Sequence, residues 1–113
     1  MAKLKLRIDF GDGRALGPGK IQLLELVGET GSISAAARRM EMSYRRAWLL
    51  IDALNQMFAT PVVATRGGGA GGGGAALTPL GADVIGAYRA MEAETTAAVA
   101  GRIAALEAAL ASS

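Results

Sequence analysis

Residues 32–46 read SISAAARRMEMSYRR. Ser32 and Ser43 each precede helix-forming sequence, where a serine oxygen accepts hydrogen bonds from the first unpartnered N–H groups of a helix. The stretch therefore divides into two short helices. The first buries Ile33, Ala36, Ala37 and Met40, the second starts at Tyr44, and Glu41-Met42 forms the turn between them. The small alanines let the first helix approach its neighbours closely. Two helices joined by a tight turn, with Arg45 and Arg46 on the opening turn of the second, present side chains to the major groove of DNA. An arginine at a helix N-terminus opposes the helix dipole by about 0.3–1 kcal/mol. A polyanionic ligand would offset that penalty.

The second of these helices extends to about Phe58. Ala47, Leu50, Ile51, Leu54 and Phe58 share its inward face, and Tyr44, Arg45, Trp48 and Asp52 lie opposite. Tyr44 suits a phosphate or a thymine methyl group, while Trp48 is divided equally between the core and the groove. Ser32 and Ser43 are caps first and phosphate sites second. Arg38 and Arg39 lie on the helix that crosses the DNA backbone in this motif. One of them contacts phosphate, or both are free surface charges. Beyond Pro61, residues 61–65 and 75–77 read as two short strands around residues 67–74, which hold seven glycines and one alanine. This is the hairpin wing of a winged helix, with Arg66 at its base reaching phosphate or minor groove, or else capping the hairpin. The tract is neither a Walker loop nor a Rossmann turn, because no Gly-Lys-Ser/Thr and no helix follows it.

Upstream, residues 3–10 alternate, with Leu4, Leu6, Ile8 and Phe10 on one face and Lys3, Lys5, Arg7 and Asp9 on the other. Period two predicts a strand, and Asp12-Gly13 supplies a hairpin turn back to residues 14–16. Gly17-Pro18 opens a helix with an inward stripe of Ile21, Leu24 and Val27, widened by Leu23 and ended by Gly31.

Downstream, Thr78-Pro79 caps a helix that no further proline interrupts before Leu110, a span of 32 residues or about 48 Å. Val84, Tyr88, Met91, Thr95, Val99, Ile103, Leu106 and Leu110 recur three or four apart, a stripe that a second copy is expected to cover. Gly86 and Gly101 are points where the helix could divide. The expected fold is mainly α with small β. It comprises a winged helix-turn-helix over residues 1–77 (hairpin 3–16, helix-turn-helix 32–58, wing 61–77) and a dimerisation helix over 78–113.

Composition narrows function. The chain of 113 residues has no cysteine and no histidine, which removes disulfides, thiol and imidazole catalysis and the usual transition-metal ligands. No carboxylate pair and no metal-ligand cluster emerges, so neither an enzyme nor a cofactor is expected. Residues 32–66 carry five arginines against two acids, and residues 78–113 carry four acids against two arginines. A basic centre with an acidic tail suits a polyanion on one face and a protein on another. No apolar run is long enough to span a membrane and no signal peptide opens the chain, so a cytoplasmic location is expected.

The segment LGPGKIQLLELVGETGSISAAARRMEMSYRRAWLLIDALNQMF, followed by GGGAGGGGAALTPLG, resembles the DNA-binding domain of ModE-type molybdate-responsive regulators. It is more distantly similar to that of LysR-type regulators, through the same helix-turn-helix, wing and LT..G sequence. The resemblance covers residues 16–81 closely and implies a winged-helix homodimer on double-stranded DNA. By position it sets Ser43, Tyr44, Arg45 and Trp48 at the major groove, with Arg66 and the glycine tract in the wing. In full-length members molybdate binds separate C-terminal β-rich domains, which these 113 residues are expected to lack. Three alternatives follow: a separate protein senses the oxyanion, regulation is by abundance, or this is an isolated domain; a separate oxyanion-sensing protein or a full-length regulator is then a candidate partner. Two other readings stand beside a DNA-binding regulator. One is an adaptor that heterodimerises with a full-length regulator through its last helix. The other is a direct oxyanion sensor using helix N-termini.

Overall fold

The computed structural model describes residues 2–67 and 74–112. A hairpin of β1 (Ile8–Gly11) and β2 (Arg14–Leu16) leads into α1 (Pro18–Thr30), α2 (Ile33–Arg39) and α3 (Tyr44–Met57). A second hairpin, β3 (Val63–Thr65) with β4 (Ala75–Leu77), connects α3 to α4 (Pro79–Ala108). Both hairpins are antiparallel, the second pairing Val63 with Leu77, Ala64 with Ala76 and Thr65 with Ala75. The glycine-rich wing tip falls at 68–73, outside the described residues. The mainly helical winged helix-turn-helix expected from the sequence is therefore the observed architecture.

Local chemistry sets the helix boundaries. Ser32, Ser43 and Thr78 cap α2, α3 and α4, accepting from the N–H groups of Ala35, Arg46 and Gly81. Gly31 ends α1 at φ 71°, a left-handed conformation that glycine adopts without a Cβ clash. Asp12 and Gly13 also have positive φ (55° and 76°), as a two-residue hairpin turn whose twist matches its strands requires.

The core lies between α1, α2, α3, β3 and the first turns of α4. Ile21, Leu23, Leu24, Val27, Ala36, Ala47, Leu54, Val62 and Tyr88 are fully enclosed. Leu50, Phe58 and Met40, expected inside, are only partly buried and pack on its margin.

The structure decides three points: it corrects the first and third expectations and settles, as the second, whether the last helix divides. The first strand does not run over residues 3–10. Its return partner is three residues long, so only Ile8–Gly11 find a ladder, and the register shift between Asp9 and Gly11 leaves Phe10 half exposed. Residues 2–7 run beside α4 instead. The Tyr88 hydroxyl donates to the Leu6 carbonyl at 2.6 Å, and the Ala2 N–H donates to Glu107 at 3.0 Å. Second, α4 is one helix through Gly86 and Gly101. Third, Val84 and Tyr88 belong to the protomer's own core and are closed to a partner. Burial pushes the Tyr88 phenol above its ordinary value and the Glu92 charge adds to that, while Arg89 opposes. It stays a donor at neutral pH. Arg89 then docks α4 on α1 with a two-point grip on Glu25 (3.0 and 2.6 Å) and a bond to Glu92 at 2.6 Å.

Where α4 leaves the wing, Gly81 is wedged against the Val62 carbonyl. A Cβ there would overlap backbone, whereas a Cβ on Gly28 would meet only the Leu77 side chain, at 2.7 Å. Backbone cannot yield as a leucine rotamer can. Gly81→Ala is expected to lower unfolding stability by about 1–3 kcal/mol through overpacking. Gly28→Ala should lose less. Urea denaturation followed by circular dichroism checks the order; equal losses would contradict the backbone contact.

Candidate nucleic-acid interface

The opening turns of α3 carry the candidate site. Ser43 spends its oxygen on the Arg46 N–H at 3.1 Å, which starts α3 abruptly after the turn. Glu41 has φ 55°, the sharp reversal that sets α2 and α3 at an angle. Ala47, Ile51 and Leu54 anchor the inner face of α3. Tyr44, Arg45, Arg46, Trp48 and Leu49 consequently point outward.

Tyr44 is 55% exposed and Trp48 is 44% exposed. Trp48, divided between core and groove by the sequence, is thus on the surface. Leu49 was not singled out from the sequence and is 49% exposed. Its signal was its place one residue beyond Trp48 on a helix whose inner stripe was already complete. A shallow depression lined by Tyr44, Arg45, Trp48 and Leu49 adjoins another lined by Ser43, Arg45, Arg46, Leu49 and Leu50. No acidic side chain borders either. Arg45 and Arg46 form no ion pair among the described residues.

The other candidates lie elsewhere. Arg39 pairs with Glu29 at 3.3 Å, and Arg38 bonds Ser34 at 3.2 Å, both on the exposed side of α2. Such surface pairs contribute about 0–1 kcal/mol and leave both guanidinium groups accessible. The Ser32 hydroxyl is held at 3.1 Å from the Ala35 N–H, the cap of a helix only seven residues long. Arg66 is exposed at the wing base, where its N–H donates to the Gly74 carbonyl at 2.8 Å. The glycine tract, apart from Gly67 and Gly74, lies outside the described residues.

Two residues fix the wing relative to α3: Asn55, which the sequence left without a role, and Thr78, expected only as a helix cap. Asn55 accepts from the N–H groups of Val62 and Val63 (2.9 and 3.0 Å) and donates to the Val63 carbonyl at 3.1 Å. Thr78 donates to the Pro61 carbonyl at 2.7 Å while capping α4. Among the described residues no helix is long and apolar enough to cross a membrane, and no group of three carboxylates, cysteines or histidines is placed to hold a metal.

Residues 19–82, from the first turn of α1 to the first turn of α4, match the model of the bacterial regulatory helix-turn-helix proteins of the lysR family. The chain belongs to that family. The match encloses the helix-turn-helix, the wing and the Thr78 cap, which are the elements that shape the exposed face of α3. The chain is also similar to the molybdenum-pterin-binding protein MopB of Rhodobacter capsulatus, with 45% identity over 72% of this chain and 30% of the relative. It is 38% identical to the molybdenum transport protein ModE of Azotobacter vinelandii over 84% of this chain and 35% of the relative. Against the transcriptional regulator ModE of Haemophilus influenzae, identity is 30% over 80% of this chain and 35% of the relative. The chain spans about a third of the length of these relatives. The resemblance to ModE-type and LysR-type DNA-binding domains drawn from the sequence is borne out.

Ser43→Ala removes the cap of α3 and is expected to lower stability by about 1 kcal/mol. Arg45→Ala, at an exposed position that makes no ion pair, should leave the melting temperature within about a degree or two of the parent. Thermal denaturation of the two variants side by side checks this; a large loss in Arg45→Ala would assign Arg45 a structural duty.

Proposed function

We propose that this protein is a sequence-specific regulator of transcription that binds double-stranded DNA as a homodimer, with α3 in the major groove and the β3–β4 wing alongside. The observation that carries the reading is the outward-facing surface of Tyr44, Arg45, Arg46 and Trp48, whose two depressions no acidic side chain lines among the described residues, on the third helix of a lysR-family helix-turn-helix. Arg45 and Arg46 offer forked donors to guanine edges or phosphates. Arg38, Arg39 and Arg66 add phosphate contacts on either side, and Ser32 and Ser43 add backbone N–H groups at their helix starts. The molybdenum connection rests on the names of the similar proteins, and it makes genes of molybdenum supply the first targets to try.

The dimer reading rests on α4. Beyond Tyr88 no described residue of this helix is buried: Met91 and Leu106 are exposed, Val99 and Ile103 are half-buried, and Leu110, just past its end, is exposed. A second copy covering that stripe sets two recognition helices about 34 Å apart, one turn of DNA, on a pseudo-palindromic operator. The same stripe supports a second reading, in which α4 pairs with a longer regulator of the same family.

Arg45→Ala combined with Arg46→Ala is expected to abolish preference for the upstream region of the protein's own gene over scrambled DNA. At about 1–3 kcal/mol per lost base contact, the discrimination falls by one to several powers of ten. Fluorescence anisotropy with both duplexes reads this directly. Unchanged discrimination would remove α3 as the reading element, and retained binding to a partner regulator would favour the second reading. For the dimer, Ile103→Glu with Leu106→Glu should convert the species seen by sedimentation velocity from two copies to one. A parent protein already monomeric at micromolar concentration would contradict homodimerisation.

A further inference from the structure

The surface of α3 does not end at Arg46. A third depression of about 430 Å³ continues from it, sharing Arg46 and Leu50 with its neighbour. Its floor is apolar, built from Ala15, Pro18, Met40, Met42 and Leu50, and its rim carries Arg7, Lys20 and Arg46. These three cations come from three places far apart in the sequence: the segment before β1, the first turn of α1 and the first turn of α3. No acidic side chain lines the depression, and none of the three is in an ion pair among the described residues. Folding that gathers like charges on one rim works against itself unless a polyanion answers them.

Lys20 shows how the rim is held in place. Its ammonium donates at 2.8 Å to the carbonyl of Ala15 in β2, the hairpin strand that leads into α1. An ammonium has three donors, so two remain for a ligand while the third fixes its position. Arg7 is exposed directly ahead of β1, on the other wall.

We propose that this depression binds phosphodiesters of the duplex flanking the half-site, with Arg7, Lys20 and Arg46 as the contacting groups. The inference rests on the DNA reading of α3 and adds a second flank to it. One strand's backbone is met by the wing at Arg66, and the backbone on the far side of α3 is met by the N-terminal segment and α1. The occupant is DNA because the rim is continuous with the recognition surface through shared residues, so a duplex seated on Arg45 and Arg46 passes over it. Phosphate contacts fix register and orientation and carry no sequence information themselves. Arg7 and Lys20 therefore raise affinity on any duplex, and Arg45 sets preference.

The test compares the full chain with Arg7→Gln/Lys20→Gln and with Arg45→Ala/Arg46→Ala. Glutamine keeps a donor for the Ala15 carbonyl and removes the charge; matching melting temperatures show that the fold is intact. Fluorescence anisotropy is recorded from 50 to 300 mM salt, as rough bounds, on the gene's own upstream duplex and on a random duplex of equal length. Loss of two phosphate contacts should lower the slope of log affinity against log salt by about two per protomer, equally on both duplexes, with their affinity ratio unchanged. An unchanged slope in Arg7→Gln/Lys20→Gln, beside lost discrimination in Arg45→Ala/Arg46→Ala, overturns the flank and leaves the DNA reading standing. No retention of either duplex by the parent protein overturns both. Unchanged DNA binding together with lost binding of an acidic, apolar peptide would assign the depression to a protein ligand and also overturns the proposal.

Discussion

The backbone of residues 61–63 is gripped from both sides, and the relation of α3, the wing and α4 to one another passes through that grip. On one side Asn55 of α3 takes the N–H groups of Val62 and Val63 and returns a bond to the Val63 carbonyl. On the other, the Thr78 hydroxyl donates to the Pro61 carbonyl, and the Thr78 N–H donates to the Val62 carbonyl at 3.0 Å. Gly81 then admits α4 against that same Val62 carbonyl. Three elements meet at three residues: α3, the wing and α4. Hydrogen bonds to half-buried backbone contribute about 0.5–1.5 kcal/mol each, and more is lost when a partner is left unsatisfied. Their larger effect is geometric, because they leave the wing one position relative to α3. The LT..G sequence is thus a piece of packing: Leu77 fills the space against Gly28, Thr78 ties the loop, and Gly81 clears it.

The same junction divides α4 into two regimes. Up to Tyr88 the helix completes the protomer core, and the Tyr88 hydroxyl and the Arg89–Glu25 fork tie it to the N-terminal segment and α1. Past that point it runs without any buried side chain through about 30 Å of helix, at 1.5 Å per residue. Leu106 and Leu110, 69% and 72% exposed, lie at its end. Its abundant alanine supplies helix propensity along that stretch, and the Ala2 N–H bonds Glu107 near its end. The apolar stripe is surplus to that purpose, and the proposed dimer gives it a use.

Much of this was legible because local chemistry and global placement agree. Ser32, Ser43, Gly31, Asp12-Gly13 and Thr78-Pro79 each mark a boundary by a bond or dihedral that depends only on near neighbours. The alternation at residues 3–10 misled because a strand needs a partner of equal length, and the return strand is three residues long. Val84 and Tyr88 were placed at a partner's surface because a helical stripe does not say which of two bodies covers it. Asn55 gave no signal at all, since its three bonds reach residues seven and eight positions away. Arg7 and Lys20 gave none as a pair, because only the folded chain sets them on one rim.

Charge placement then separates two uses of arginine in this molecule. Arg14, Arg39 and Arg89 have carboxylate partners: Asp12, Glu29, and Glu25 with Glu92. Bonds to those two glutamates hold the Arg89 guanidinium even more firmly charged than usual. Exposed pairs of this kind add little stability, so their consequence is mainly one of distribution. They set carboxylates against these three arginines at the turn, on α1 and on α4. Arg7, Lys20, Arg45 and Arg46 face no such partner among the described residues, and their field survives along one edge. A net charge of only +2 therefore hides a polarised surface. In the proposed function that polarity, rather than the total, would orient a polyanion on α3 before any base is touched.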